Sequence, residues 1–393
     1  MAPIPNRPVY LDNQATTPTD PRVLGAMLPY FTERFGNPHS VEHALGRQAE
    51  AAVERARALV AALIGAEPRE VVFTSGATES NNIAIKGAAR HAVGAGDPRR
   101  RVVTLATEHK CVLESVADLK AEGFEPVVLP VGSDGLLDPA VLERAVATPT
   151  LLVSVMAVNN EIGVVQDLAG LAAVAKRAGA LFHTDAAQGV GKVALDVGTM
   201  GIDLMSISGH KIYGPKGVGA LYVRRRPRVR LRPLFSGGGQ ERGLRSGTLP
   251  APLIVGLGEA ARLAQAELAD EATRIAALRE RLLERLAAKL PGLVVNGSRS
   301  ARIPGNLNIT FPAASAADLM AAVPELCVST GSACSSAEVE PSYVLRALGL
   351  SDAAAARTLR IGIGRFTSAA DIDFAAAALA EAHAKLANVP TEA

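Results

Sequence analysis

Short apolar runs alternating with longer Ala-, Glu- and Arg-rich segments of helical period narrow the folds open to this chain. Val71-Val-Phe-Thr, Arg101-Val-Val-Thr-Leu, Glu125-Pro-Val-Val-Leu, Leu151-Leu-Val-Ser-Val-Met and Ala180-Leu-Phe-His-Thr are such runs, and a helix-like stretch spans Glu79 to Arg90. Apolar strands separated by helices predict an α/β fold, a mainly parallel sheet covered on both faces. Ligands of such sheets bind beyond the carboxyl ends of the strands. Gly76, His109, Asn160, Asp185 and Lys211 all follow predicted strands. From about Pro250 to Leu290, after the Gly237-Gly-Gly239 loop, the sequence becomes one Ala/Leu/Glu/Arg-rich helical stretch. It reads as the link into a second, smaller α+β domain that ends the chain.

With 393 residues, 48% of them hydrophobic, the chain can bury a large core, most simply as two domains. Its 41 basic and 39 acidic residues create no field that would draw it to nucleic acid or a membrane surface. The one basic run, Arg224-Arg-Arg-Pro-Arg-Val-Arg230, has no interleaved aromatics and reads as a solvated loop or partner-facing edge. Three cysteines, Cys111, Cys327 and Cys334, make no disulfide framework, which suits a reducing cytosol. The N-terminus lacks the apolar core of a signal peptide, and no unbroken apolar stretch is long enough to span a bilayer. A soluble cytoplasmic protein is expected.

The chemistry concentrates at strand ends. Ser206-Ile-Ser-Gly-His-Lys211 places a lysine where a strand dissolves into a Gly-containing turn. Partial desolvation there favours the neutral amine, the form that attacks aldehydes. Ser75-Gly-Ala-Thr-Glu-Ser80 lies between a strand and a helix. Either its open backbone N–H groups receive a phosphate, or Thr78 or Ser80 caps the helix. Ser208 and His210 can donate to the same phosphate. Asp185, ending a strand, either pairs with a protonated pyridine nitrogen or makes an Asx turn, and Gln188 is placed to reach a ring oxygen. His109 is a flat aromatic that can stack on such a ring and shuttle protons. In Ser329-Thr-Gly-Ser-Ala-Cys-Ser-Ser-Ala337 every residue except Cys334 is Ser, Thr, Gly or Ala. A thiol in so small and polar a run reads as borne on an exposed loop, able to reach a substrate and carry its product away. Cys327, in an apolar run, reads as a core thiol, and Cys111, at the start of a helix, as structural. Arg360, among strand-like residues, can clamp a carboxylate bidentately.

An ordered set of fragments completes the pattern. They are Tyr10-Leu-Asp-Asn-Gln-Ala-Thr-Thr-Pro18, Phe35-Gly-Asn-Pro38, Phe73-Thr-Ser-Gly-Ala-Thr-Glu-Ser80, Thr107-Glu-His109 and Val158-Asn-Asn-Glu-Ile-Gly163. Asp185-Ala-Ala-Gln188, Ser208-Gly-His-Lys-Ile-Tyr-Gly-Pro-Lys-Gly217, Arg242-Gly-Leu-Arg-Ser-Gly-Thr248, Gly331-Ser-Ala-Cys-Ser-Ser336 and Pro341-Ser-Tyr-Val-Leu-Arg-Ala-Leu-Gly349 follow. In these the chain resembles, nearly end to end, the cysteine desulfurases of the IscS/NifS kind. These belong to the class-V aminotransferases, among the fold type I pyridoxal-phosphate (PLP) enzymes. The cysteine loop between Ser329 and Pro341 resembles the long-loop, group I branch.

The resemblance implies an aspartate-aminotransferase-like fold. Residues 16–262 would form a large domain on a mainly parallel seven-stranded sheet, and residues 1–15 and 263–393 a smaller α+β domain carrying the cysteine loop, about 329–341. It implies pyridoxal 5'-phosphate as cofactor, with Lys211 as the Schiff-base lysine, Asp185 on the pyridinium, His109 stacked and relaying protons, and Gln188 on the ring oxygen. Ala77, Thr78, Ser208 and His210 would surround the phosphate, and Thr248 would reach it across a homodimer interface. Asn160 would touch the cofactor and, with Asn13 and Arg360, the carboxylate of L-cysteine. Cys334 would accept the sulfur as a persulfide, leaving L-alanine. No metal belongs to this site, although Cys334 would transiently meet a scaffold-bound iron–sulfur cluster. The sulfur would serve iron–sulfur assembly through an IscU- or NifU-like scaffold, with tRNA thiolation as a further outlet. The chain stops soon after Ala384-Lys-Leu-Ala-Asn-Val-Pro-Thr-Glu-Ala393, short of the C-terminal extension of housekeeping relatives, which leaves scaffold docking open. The competing expectations are a selenocysteine lyase or another fold type I enzyme, and a non-catalytic scaffold. The scaffold predicts loss of the lysine, the aspartate or the thiol, and all three are present.

Overall fold

A computed structural model describes residues 8–330 and 341–387. Its strands are β1 (Val9–Tyr10), β2 (Val71–Thr74), β3 (Arg101–Leu105), β4 (Glu125–Leu129), β5 (Thr150–Ser154) and β6 (Leu181–Asp185). They continue with β7 (Leu204–Ser208), β8 (Gly219–Val223), β9 (Val294–Val295), β10 (Asn306–Thr310), β11 (Leu326–Cys327) and β12 (Thr358–Gly362). Seven of them form one sheet in the order β2-β8-β7-β6-β5-β3-β4. Only β8 runs against the rest, pairing antiparallel with both β2 and β7.

Helices cover both faces of this sheet, and the period of two in the strands feeds them alternately. Val103, Val153, Met205 and Ala220 join a core with the helices Ala44–Leu63 and Ala251–Ala287. Their strand neighbours Val102, Leu152, Leu204 and Leu221 point the other way, into a core with the helices Ala77–Gly94 and Lys110–Asp118. This double burial is why the strands read as continuous apolar runs.

The antiparallel three-stranded sheet β12-β10-β9 and the helix Ala369–Ala387 enclose a separate core around Leu307, Phe311, Leu359 and Ile372. β1 joins this part by pairing in parallel with β11. The helix expected from Pro250 to Leu290 is Ala251–Ala287, and it serves both units. Ile254, Leu257 and Ala260 pack under the large sheet, whereas Leu278, Leu282 and Leu286 belong to the second core. Arg224, first of the basic run, is not solvated: it is buried 3.4 Å from Asp203. No described helix is long and apolar enough to cross a membrane.

His183 sits inside β6, with Nδ1 2.8 Å from Ser154 Oγ and Nε2 3.1 Å from Ser206 Oγ on the flanking strands. Burial pushes its pKa from 6.5 down to about 3. Between those values the unfolded chain binds a proton that the fold refuses. The stabilising share of the neutral ring is therefore full above about pH 6.5 and lost as pH falls toward 3. His183→Gln should flatten that acid limb by up to one proton, about 1.4 kcal/mol per pH unit in urea-unfolding free energies. An unchanged slope would mean that the buried imidazole is not the group refusing the proton.

Candidate active site

The ends of five strands, β2, β3, β5, β6 and β7, and one strand of the smaller unit build the site. After β2 the chain turns through Ser75 and Gly76 into the helix Ala77–Gly94. Gly76 is the N-cap residue, at φ 152° and ψ −177°, a region essentially closed to residues with a Cβ. The sequence leaves open a cap from Thr78 or Ser80, and neither supplies it: no side chain caps this helix. Ser80 instead lies 2.8 Å from Thr74 Oγ1 and donates to the Ala220 carbonyl at 3.1 Å. The helix start thus keeps backbone N–H groups for an anion.

β3 delivers Glu108 and His109. His109 caps the next helix, its Nδ1 accepting from Cys111 N at 3.2 Å. Glu108 is buried, accepts from Met156 N at 2.6 Å, and is pushed well above the usual carboxylate range by burial and then by the charge of Asp185. Asp185, buried at the end of β6, makes the Asx turn offered for it. Its Oδ1 accepts from Ala187 N at 2.9 Å as an Asx turn, while Oδ2 accepts from Asn81 Nδ2 at 2.7 Å.

The end of β7 folds into a tight turn, Gly209–Lys211. Gly209 N donates to Val218 O at 3.0 Å, and a Cβ there would meet the Pro215 and Val218 carbonyls at 3.0 Å, so glycine is needed. The turn aims Lys211 Nζ at the carbonyls of Gln14 and Ala15, 2.6 Å from each. His210 lies 3.0 Å from Thr16 Oγ1 through Nδ1. Burial, with the charges of Lys211, Lys216 and Lys192, brings its pKa down to about 4, so the ring is neutral. From β12, Arg360 reaches in, held by Asp12 Oδ1 at 2.8 Å and the Asn160 carbonyl at 3.2 Å. Arg360 Nε and Asn160 Oδ1 are buried with no hydrogen-bond partner among the described residues, which marks them as open to a ligand.

These groups enclose a cavity of about 480 Å³ lined by Ala77, Thr78, His109, Asn160, Asp185, Gln188, Ser208, His210, Lys211 and Arg360. Three expected site residues are not among them. Asn13 donates to Gly362 O at 2.7 Å and faces the neighbouring crevice beside Lys192. Thr248 is exposed, and Cys334 lies outside the described residues. Gln188 lines the cavity but is engaged at both ends, Nε2 on Gln14 O and Oε1 on Lys192 Nζ, each at 2.8 Å.

The sequence reading assigns no role to Asp12, Gln14, Glu108 or Lys192. Asp12, Gln14 and Glu108 stand inside quoted motifs, so their neighbours were a signal. Lys192 carried none; burial, then the charges of Lys211 and Arg360, brings it down to about 7. Cys111, read as structural, lines the cavity with Sγ 3.0 Å from His109 Nδ1. Cys327 is only partly buried, on the short strand β11, and is no core thiol.

Open N–H groups at a helix start, a buried carboxylate, an amine and an imidazole suit a phosphate, a pyridinium nitrogen, an aldehyde and a ring face. The donor set fits pyridoxal 5'-phosphate. The family profile described as aminotransferase class-V matches residues 9–374. The chain belongs to the class-V aminotransferase family. Among curated relatives it is similar to the Mus musculus protein named cysteine desulfurase, 56% identical over 94% of this chain and 80% of that one. It is likewise similar to cysteine desulfurase IscS of Rickettsia felis, 52% identical over 94% of this chain and 90% of that one. Of solved structures, a NifS-like protein matches with a TM-score of 0.89 at 35% identity, covering 96% of this chain and 100% of its own. The class-V fold of these relatives agrees with the mainly parallel seven-stranded sheet.

Gly76→Ala forces a Cβ into the 152° φ that opens the helix start. It should weaken pyridoxal 5'-phosphate binding roughly ten- to a hundredfold, the order expected for such strain, in an absorbance titration. Gly94→Ala, where an added Cβ meets nothing within 4 Å, should leave the affinity unchanged.

Proposed function

We propose that this chain is a pyridoxal-phosphate-dependent cysteine desulfurase, taking sulfur from L-cysteine, releasing L-alanine and holding the sulfur as a persulfide on Cys334. One observation carries this reading: Lys211, Asp185, His109 and Arg360 meet on a single cavity in a chain 56% identical to a protein named cysteine desulfurase.

In this reading Ala77, Thr78, Ser208 and His210 hold the cofactor phosphate, with Thr248 contributed by a second copy. Asp185 pairs with the pyridinium, and His109 covers the ring. Gln188 serves the ring oxygen with the second hydrogen of an Nε2 group already shared with Gln14. When bound, the cofactor supplies an aldehyde that captures amines and a ring that draws off electrons. Lys211 Nζ would hold that aldehyde, and the same amine would take the Cα proton of the substrate. Arg360, locked by Asp12 and backed by the Asn160 carbonyl, offers its remaining N–H groups, with Asn160, to the substrate carboxylate. Asn13, turned to Gly362 and the crevice beside Lys192, supports this wall of the site from behind. The Cys334 thiolate attacks the substrate sulfur. The electron pair of the breaking C–S bond stays with carbon, which is protonated to alanine, and the sulfur remains on Cys334.

The reading extends to assembly and destination. Leu24, Leu28, Phe31 and Phe35, 46% to 63% exposed, are large apolar side chains on the surface of one segment, which supports a homodimer. Residues 16–262 act as the cofactor-binding domain and 1–15 with 263–393 as the smaller one, a division supported by the transfer of the long helix between two cores. A cytoplasmic, IscU- or NifU-like scaffold would take the sulfur for iron–sulfur assembly.

Lys211→Ala should abolish alanine formation and the borohydride-stable attachment of cofactor, read by peptide mass spectrometry. Cys334→Ser should bind cysteine yet form no protein-bound sulfane sulfur; alanine release at the full rate by this variant would make the protein a lyase or an aminotransferase relative instead. Asp12→Ala frees Arg360, and should raise the KM for cysteine roughly tenfold while changing kcat less.

A further inference from the structure

Cys111 has no part in the reading above, yet its thiol touches the residue proposed to cover the ring. The side chains leading to it form a sequence in which each bond decides the next. Asp185 Oδ1 is filled by Ala187 N at 2.9 Å, and Oδ2 lies 2.7 Å from the Asn81 side chain. A carboxylate only accepts, so Asn81 must turn its NH2 group, not its carbonyl, toward Asp185. The second hydrogen of that NH2 then faces Cys111 Sγ at 3.1 Å. Sulfur accepts there, which leaves its own S–H for His109 Nδ1, 3.0 Å away. The same Nδ1 also receives the Cys111 backbone N–H at 3.2 Å.

We propose that Cys111 is a positioning residue for His109: its thiol joins the Asn81 amide to Nδ1 and holds the imidazole neutral, with its single proton on Nε2. The inference rests on the reading of His109 as the ring-covering, proton-relaying group of the site. With Nδ1 occupied by two donors, proton exchange with anything in the cavity runs through Nε2 alone. Protonation of Nδ1 requires both bonds to Cys111 to break.

Among the described residues, the charged groups that face His109 are these. Glu108 and Glu161, both raised by burial, flank it on the protein side, and Asp185, Lys211, His210 and Arg360 share its cavity. Substitution of Cys111 leaves all of them in place, so a changed titration isolates the thiol.

Deuterium exchange at the imidazole C2, resolved by peptide mass spectrometry, reads the His109 titration midpoint in cofactor-loaded and cofactor-stripped protein. Cys111→Ala removes a donor that favours the neutral ring and should raise the midpoint by roughly half to one pH unit in both forms. Cys111→Ser keeps a donor on the same Cβ and should return most of that shift. A midpoint unmoved or lowered in Cys111→Ala, with its thermal unfolding intact, overturns the proposal. The same variant separates this inference from the reading beneath it. A raised midpoint with an altered pH profile of kcat supports both, whereas a raised midpoint with an unaltered profile keeps the positioning and removes His109 from proton transfer.

Discussion

An amine carried into a buried cavity must find acceptors, and Lys211 Nζ finds them in the carbonyls of Gln14 and Ala15, 2.6 Å from each. Much of the site follows from that pairing, because it ties the turn after β7 to a segment nearly 200 residues earlier in the chain. The same segment is stitched on by Thr17, whose N and Oγ1 both donate to His210 O at 3.0 Å while Oγ1 accepts from Tyr213 N at 2.9 Å. Farther along, Asp20 meets Arg365 at 2.8 Å, and Asn13 meets Gly362. The segment from Asp12 to Asp20 is thus a strap between the large sheet and the smaller unit. The turn after β7 aims the Lys211 amine, and long-range bonds to backbone carbonyls hold it.

Charge explains the rest of the cavity. Lys211, Lys192, Lys216 and Arg360 crowd one region, and the fold relieves the repulsion by keeping His210 neutral and letting Lys192 fall to about 7. Such a site is built to receive anions, and the proposed ligands bring two: the phosphate of the cofactor and the carboxylate of the substrate. On the opposite side, burial and then the charge of Asp185 push Glu108 well above the usual carboxylate range. Asp185 beside it lines the cavity and is hydrogen-bonded by Ala187 and Asn81.

The α/β architecture was legible because a parallel sheet buried on both faces leaves a trace in each strand: Val102 and Val103, or Leu204 and Met205, are both apolar though they serve different cores. The strand-end rule then located Gly76, His109, Asn160, Asp185 and Lys211 near one another. What it could not supply was side-chain partnership. Thr78 and Ser80 look like helix caps in sequence, but Ser80 is drawn back to Thr74 and Ala220, and the helix opens on Gly76 instead. Cys111 reads as structural, and only the fold brings Asn81 from another helix to its thiol. Asn13, a carboxylate ligand by resemblance, has its amide bonded to Gly362 from the other end of the chain.

The sequence by itself determined the class of fold, the set of reactive side chains and the order in which they appear, since apolar periodicity and strand-end chemistry are local properties. Tertiary structure alone decided which of those side chains remain open to a ligand and in which protonation state. Hydrogen-bond satisfaction and desolvation depend on residues distant in the chain: Gln188 on the Gln14 carbonyl, Asp12 against Arg360, and the Ala15 carbonyl under the Lys211 amine.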